Sequence, residues 1–348
     1  MTAHSRDTGM PSPGRRTAMT APSHDTAMTA PDRRSEDTPL ALAVDIGGTK
    51  IAVGLVAADG TLHERRRTVT PAGPSILPAV FELARPLVGR AMACGIGTAG
   101  TVGPLGRIAS ATDLLTGWAG TDVKGAAESA LGLPTAVLND CHAAGAAEAR
   151  VGAARDARTA LVVAIGTGIG GAVCVEGRVL TGASGTAGAI GHLPAPTDAG
   201  VRCSCGALDH IEAHASGPAI ERAYLHTTGR ALTLTEIGRL ASQATASIAA
   251  TSHETAARVI AEAAVLMGRV LAGAANLIDP GAIVIAGGVS MLGPALLRPM
   301  EAAFRAETLP GPSAVPLLPA RLGADAGLVG AGLEALSHLE NGSSCAVS

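Results

Sequence analysis

From Leu40 onward, short apolar runs alternate with glycine-rich turns, and longer stretches carry apolar residues at helical spacing. Leu40 to Val44 is apolar, Asp45-Ile46-Gly47-Gly48-Thr49-Lys50 follows, and Ile51 to Val56 is apolar again. Strand, glycine turn, strand reads as a β-hairpin, with a second turn at Ala58-Asp59-Gly60. Ser75 to Arg90 has helical spacing, interrupted by Pro78 and Pro86. Gly95 to Gly100 reads as a glycine-rich turn after a strand. Thr121 to Leu131 reads as a helix stopped by Gly132, and Thr135 to Leu138 as a strand. At Asn139-Asp140 that strand hands over to an Ala-rich helix, Cys141 to Arg150.

The pattern then repeats. Ala160 to Ile165 is a buried-strand run, Gly166 to Gly171 a glycine turn, and Ala172 to Val175 a further strand. Loops are expected between Gly182 and Cys205. Ile211 to about Leu225, Leu234 to Ala241 and His253 to Ile278 have helical spacing. Ala282 to Ala286 is a strand ending in Gly287-Gly288, and Leu328 to Leu339 a final helix. Strands alternating with helices, after an early hairpin, predict a two-domain α/β protein.

Residues 1 to about 38 break this pattern. They are polar, rich in Thr, Ser, Pro and Arg, and TAMTAP occurs twice. Such a segment buries too little apolar surface to offset its ordering entropy, so a disordered tail is expected. Four methionines at nine-residue intervals also leave the start site open.

Composition narrows the function classes. Of 348 residues, 16% are charged, the formal net charge is -3, and only four are Phe, Trp or Tyr. No basic face for nucleic acid and no aromatic stacking platform is expected. No uninterrupted apolar run of membrane-spanning length occurs, and the N-terminus lacks a signal-peptide core, so a soluble cytoplasmic protein is expected. Cys203-Ser204-Cys205 has a spacing closer to a metal site than to a disulfide in a reducing compartment.

Three glycine turns carry candidate nucleotide chemistry. In the first, Asp45 stands at a strand end, Gly47 and Gly48 let backbone N–H groups approach phosphate oxygens, and Thr49 adds a donor. Asp45 could hold Mg²⁺ through water. Gly166-Thr167-Gly168-Ile169-Gly170-Gly171 satisfies the dinucleotide spacing G-x-G-x-x-G, but a strand follows it where that fingerprint needs a helix. A second phosphate hairpin fits better. The third turn, Gly287-Gly288, lies at the C-terminal end of a strand, where ligands bind in open α/β sheets.

In this order, these residues resemble the sugar kinases of the actin-like ATPase superfamily (ribonuclease H-like fold), and more closely the ROK family, from about Leu40 to Leu339. The most specific part is Gly191-His192 followed by Cys203-Ser204-Cys205-Gly206 through to Glu212, which resembles the family's zinc signature. After the tail, the expected organisation is a domain over 39–150 joined by the helix 326–340, and a second domain over 151–325 with a zinc loop at 191–212. It implies ATP and Mg²⁺ as cofactors, with the first hairpin, Lys50 included, and the second, Thr167 and Gly168 included, on the phosphates. Gly287 and Gly288 fall at the adenosine. Asp140 matches the catalytic base, Asn139 a sugar-hydroxyl ligand, and His192 and Glu212 positions that reach the sugar. Homodimers or homotetramers are implied as well.

Two departures stand out. The family's third cysteine is His210 and the glycine before it is Asp209, so His192, Cys203, Cys205 and His210 are the expected structural zinc ligands. The family's sugar-binding Glu is Ala189, which places the usual glucose preference in question. A hexose, an N-acylhexosamine or a carbasugar cyclitol is the expected acceptor. A sugar-sensing regulator is the remaining alternative, against which the short tail speaks. Asp140 also has an ordinary structural reading as a helix N-cap, and His142 reads as a helix-surface histidine.

Overall fold

The computed structural model describes residues 39–111, 115–243 and 250–344, so the tail expected over 1–38 lies outside the described residues. The first hairpin forms as the pattern predicts. Strand β1 (Leu40–Ile46) pairs antiparallel with β2 (Lys50–Ala57), both nearly all apolar and buried. The edge strand β3 (Leu62–Val69), with sequence LHERRRTV, pairs with β2 and is mostly exposed. Its charges hide it from an apolar count and suit an open sheet edge.

Helix α1 (Ile76–Ala84) carries Pro78 in its first turn, where a missing N–H costs nothing. Strand β4 (Ala93–Thr98) runs parallel to β1, and β5 (Thr101–Val102) forms a small ribbon with β6 (Ile108–Ser110). Helix α2 (Val123–Leu131) is capped by Asp122 and ends on left-handed Gly132, φ 66°. Strand β7 (Thr135–Asn139) joins parallel to β4 and leads into α3 (Asp140–Arg150). The sheet order is β3-β2-β1-β4-β7.

The same arrangement is then built again. Strands β8 (Thr159–Ile165), β9 (Ile169–Val175) and β10 (Arg178–Val179) form an antiparallel meander. The helices α4 (Glu212–Ala215), α5 (Gly217–Thr228), α6 (Leu234–Ser242) and α7 (Ala250–Ile278) follow. Parallel strand β11 (Ala282–Ala286), α8 (Pro294–Glu307), parallel strand β12 (Leu317–Pro319) and α9 (Ala326–Ser344) complete the chain's described part. The order is β10-β9-β8-β11-β12. Each sheet thus opens with a hairpin whose first strand takes parallel neighbours on its other side, the duplicated α/β arrangement of an actin-like ATPase.

Two helices tie the sheets together. Helix α3 follows β7 of the first sheet but packs on β8 and β9 of the second, while α9 follows β12 and packs on β1 and β4. The two helices also pack on each other. Close approach requires glycine: a Cβ at Gly330 would stand 1.7 Å from the Ala143 carbonyl oxygen, and one at Gly95 1.8 Å from that of Ala331. This corrects the reading of Gly95 to Gly100 as a turn. Gly95 and Gly97 lie inside β4, and only the last two residues turn; the glycines admit a helix backbone, not a phosphate.

Several boundaries shift for local reasons. The helix expected over Ile211 to Leu225 divides at Ser216, where extended backbone (φ -70°, ψ 162°) separates α4 from α5. Gly170 and Gly171 lie within β9, so the second glycine turn is only Gly166 to Gly168. Helix α7 is long and apolar enough to span a membrane by length and composition. Its apolar residues Val259, Ile260, Met267 and Leu271 are instead packed in the second core with Tyr224 and Phe304.

Candidate active site

The sheets bring their turn-bearing ends together. Asp45 is the next-to-last residue of β1, and the turn after it is closed by the Gly47 N–H donating to the Lys50 carbonyl at 3.0 Å. Thr70 Oγ1 donates to the Gly47 carbonyl at 2.7 Å, which fixes the turn from outside. Thr49 and Lys50 are exposed.

Asp140 opens α3. Its Oδ1 accepts from its neighbour's amide, Cys141 N–H, at 2.8 Å. The helix N-cap, however, is Asn139, whose Oδ1 accepts from Cys141 N–H at 2.9 Å and His142 N–H at 3.3 Å. The capping role expected for Asp140 therefore belongs to Asn139, because Asp140 already has helical position in the first turn. Asn139 Nδ2 donates to the Gly100 carbonyl at 3.0 Å, and the same side chain hydrogen-bonds the Asp140 carboxylate. His142 is buried, not a surface residue. Its Nε2 lies 2.8 Å from the Ala187 carbonyl, so it acts as a donor that ties α3 to the loop before Ala189.

Two carboxylates share this place. Asp45 is pushed up to about 6 from the usual 3.8, first by burial and then by the charge of Asp140, with Lys50 acting against the shift. Burial also holds Asp140 above the ordinary range, opposed by the hydrogen bond from Cys141. Uncompensated negative charge between strand end and helix start is what a divalent cation beside polyphosphate would relieve.

A pH test follows with two opposite signs. With Asp140 as the general base proposed below, loss of turnover on acidification should begin above pH ~4, the midpoint of an unperturbed Asp, because burial raises its titration. For metal-free, ligand-free protein the folded state binds the Asp45 proton more tightly than the unfolded chain does. Its contribution to stability is therefore present at low pH and lost as pH rises through about 6. Activity rising with pH while thermal stability of the ligand-free protein falls across pH 5 to 7 is the expected pair of profiles.

From Asp140 a continuous line of contacts crosses to the second sheet. A Cβ at Gly170 would meet the Cys141 sulfur at 2.4 Å, so α3 lies directly on β9. At the start of β9, Ile169 N–H donates to Glu212 Oε2 at 2.9 Å. Glu212 Oε1 accepts from Ser204 Oγ at 2.5 Å. Glu212, expected to reach the sugar, thus uses both oxygens to tie the second hairpin to the cysteine loop. Gly166 is fixed from the helix side by the Gly217 N–H at 2.9 Å, and Thr167 is exposed beside Gly168. Gly287, φ 88°, lies against the end of β8; a Cβ there would stand 2.3 Å from the Ile165 carbonyl oxygen. Gly288 faces open space.

The cysteine loop gathers four donors. His192, Cys203, Cys205 and His210 each offer one ligand atom, and all four atoms lie within 4.8 Å of one another. Cys203 Sγ is 3.7 Å from His192 Nδ1, and Cys205 Sγ is 3.2 Å from His210 Nδ1. The edge of a tetrahedron with zinc–ligand bonds of about 2.0–2.3 Å is roughly 3.3–3.8 Å, so the donor set fits that cation. Asp209 carries φ 53°, in the left-handed region, and its carboxylate accepts from Gly200 N–H and Val201 N–H, each at 2.8 Å.

The model of the ROK family matches residues 41–337. The chain belongs to the ROK family. It is 31% identical to a glucokinase of Halalkalibacterium halodurans over 84% of this chain and 93% of that protein. It is 33% identical to an N-acetylmannosamine kinase of Citrobacter koseri over 84% and 97%. Among solved structures, a ROK hexokinase from Thermus thermophilus has a TM-score of 0.75 at 32% identity, covering 87% of this chain and 99% of that one. A ROK family glucokinase from Streptomyces griseus, in complex with glucose and AMPPNP, has a TM-score of 0.72 at 30% identity, covering 86% and 99%. Within this family the substitution at 209 now has a physical reading. Left-handed backbone at 209 suits the signature's glycine, and Asp209 holds that conformation with its carboxylate bonded to the Gly200 and Val201 amides.

Three contributors had no signal of their own in the sequence. Ser204 is a spacer between two cysteines until the fold sets it against Glu212. Thr98, wholly buried, accepts from Trp118 Nε1 at 3.0 Å at the end of β4. Gly217 is an ordinary helix-start glycine that closes on Gly166.

Proposed function

We propose that the protein is an ATP-dependent sugar kinase that transfers the γ-phosphate to a primary hydroxyl, with Asp140 as general base. The observation that carries this reading is the placement of Asp140 opposite Asp45, between two glycine hairpins. Backbone N–H groups of Gly48 and Thr49 would hold phosphate oxygens from one side, the Gly47 N–H being spent on closing the turn, and those of Thr167 and Gly168 from the other. Lys50 adds an exposed positive charge at the first hairpin, and the turn at Gly287-Gly288, with open space beside Gly288, leaves room for the adenosine. Asp45 would hold Mg²⁺ through water; when bound, the cation neutralises phosphate charge. Phosphoryl transfer asks mainly for such positioning and charge balance. Asp140, in its ionised form, accepts the hydroxyl proton as the oxygen attacks, and the Asn139 side chain beside it orients the acceptor.

His192, Cys203, Cys205 and His210 would hold a structural Zn²⁺ in a closed tetrahedral site. Through Ser204 and Glu212 that loop is fastened to the second hairpin, and His192 keeps its second ring nitrogen for the sugar. Chelation of purified protein is expected to raise the KM for sugar about 10-fold or more, the scale of outer-shell damage at metal sites. The ATP KM should rise less, because only one of the two hairpins is attached. Unchanged kinetics in protein shown to be metal-free by elemental analysis would contradict this role.

The acceptor is a hexose or an N-acylhexosamine. Ala189 cannot accept a hydrogen bond from a ring hydroxyl, so discrimination at that hydroxyl is relaxed relative to relatives with Glu there. A carbasugar cyclitol with a hydroxymethyl arm is a second acceptor class that this relaxation admits. The deciding experiment measures ADP release from ATP and Mg²⁺ with glucose, mannose, N-acetylmannosamine, N-acetylglucosamine and a carbasugar. No ADP above background with any of them would refute the kinase reading.

A further inference from the structure

Glu148, on α3, has no solvent exposure, and nothing in the chemistry above uses it. Its Oε1 accepts from the Arg321 N–H at 2.9 Å and the Leu322 N–H at 2.8 Å, and its Oε2 accepts from the Ala153 N–H at 2.8 Å. Arg321 and Leu322 lie where the chain passes from β12 to α9. Ala153 lies where it passes from α3 to β8. One carboxylate therefore fastens two connections that are far apart in sequence. The fold makes room for it: a Cβ at Gly152 would stand 2.2 Å from Glu148 Oε2.

A buried carboxylate is costly unless its oxygens are satisfied, and packing alone would be served as well by an apolar side chain. We infer that Glu148 is a positioning residue for the reaction, holding α3 in register with the β12–α9 connection. At its other end α3 presents Asp140. In its first turn α9 brings Gly327 against Asp45, where an added Cβ would stand 3.5 Å from the carboxylate. Glu148 thus sets the distance between the two acidic groups without touching either. The inference rests on Asp140 being the base.

Glu148→Gln tests it, because the amide keeps the shape but turns one acceptor into a donor. Whichever way the amide faces, one connection loses its partner. At a temperature where circular dichroism shows the variant fully folded, kcat should fall at least about 10-fold, since misplacing a reacting group by 1 Å can cost 10²-fold. ATP affinity should stay within about twofold, because neither hairpin moves, and the acid limb of the pH–rate profile should shift as the burial of Asp140 changes. Gly152→Ala, which pushes the carboxylate from behind, should reproduce the loss, and the double variant should be no worse than the stronger single one. With active wild type, a folded Glu148→Gln of unchanged kcat and pH profile, or fully additive losses in the double variant, overturns this inference alone. A wild type inactive on every sugar overturns the kinase reading as well.

Discussion

Asp140→Asn is expected to lower turnover by roughly 10²- to 10⁴-fold, the range general-base catalysis contributes, while ATP binding is retained. The amide keeps an oxygen for the Cys141 N–H, so the first turn of α3 survives the change. What disappears is the carboxylate proposed to take the acceptor's proton. Because burial disfavours the Asp140 charge in the folded state, the same substitution should also raise the thermal midpoint at neutral pH. Activity and stability moving in opposite directions separates a lost base from a damaged fold. Coupled ADP release, calorimetric ATP titration and a thermal melt on one preparation make the test. A variant that keeps a tenth of wild-type turnover would rule out this assignment.

The second large effect is structural. Gly330→Val should destabilise the protein by about 1–3 kcal/mol or more, the scale of overpacking in a well-packed core. The obstacle is backbone: besides the Ala143 oxygen, its carbonyl carbon lies at 2.6 Å and the Ala147 nitrogen at 3.1 Å from the added Cβ. Neither can turn aside as a side chain could, so α3 and α9 must move apart. Gly273→Ala in α7 is the matched comparison, since a Cβ there meets nothing within 4 Å. That change should stabilise by up to about 1 kcal/mol through helix propensity. Chemical denaturation of both variants should show opposite signs; similar shifts for the two would remove the packing explanation.

Much of the fold was legible because its two hairpins and buried strands carry uninterrupted apolar runs. The first hairpin forms as read. What escaped has identifiable causes. β3 is charged because it lies at an edge, and α8 is punctuated by Pro294 at its start and Pro299 within it. Gly95 and Gly97 resembled a turn because sequence alone cannot distinguish a glycine that bends from one that lets a helix approach. At the site, the structure adds local partners that the residue types alone did not announce. The cap falls to Asn139, one residue before Asp140, while His142 goes inside to meet Ala187 and Glu212 also ties two loops, both through partners distant in sequence. Ser204 and Glu148 were invisible for the same reason.

The crossed arrangement of α3 and α9 bears on how the chain matures. The sheet begun at Leu40 lacks the cover of α9 until residues from Ala326 onward have been synthesised. During translation the face that α9 will cover, with Ala43, Ala52, Val56 and the glycines of β4, lacks that helix to lie against. The emerging first half thus carries an uncovered, aggregation-prone apolar face until its closing helix arrives. A chain cut before Ala326 would leave that apolar face bare and should be recovered as aggregate.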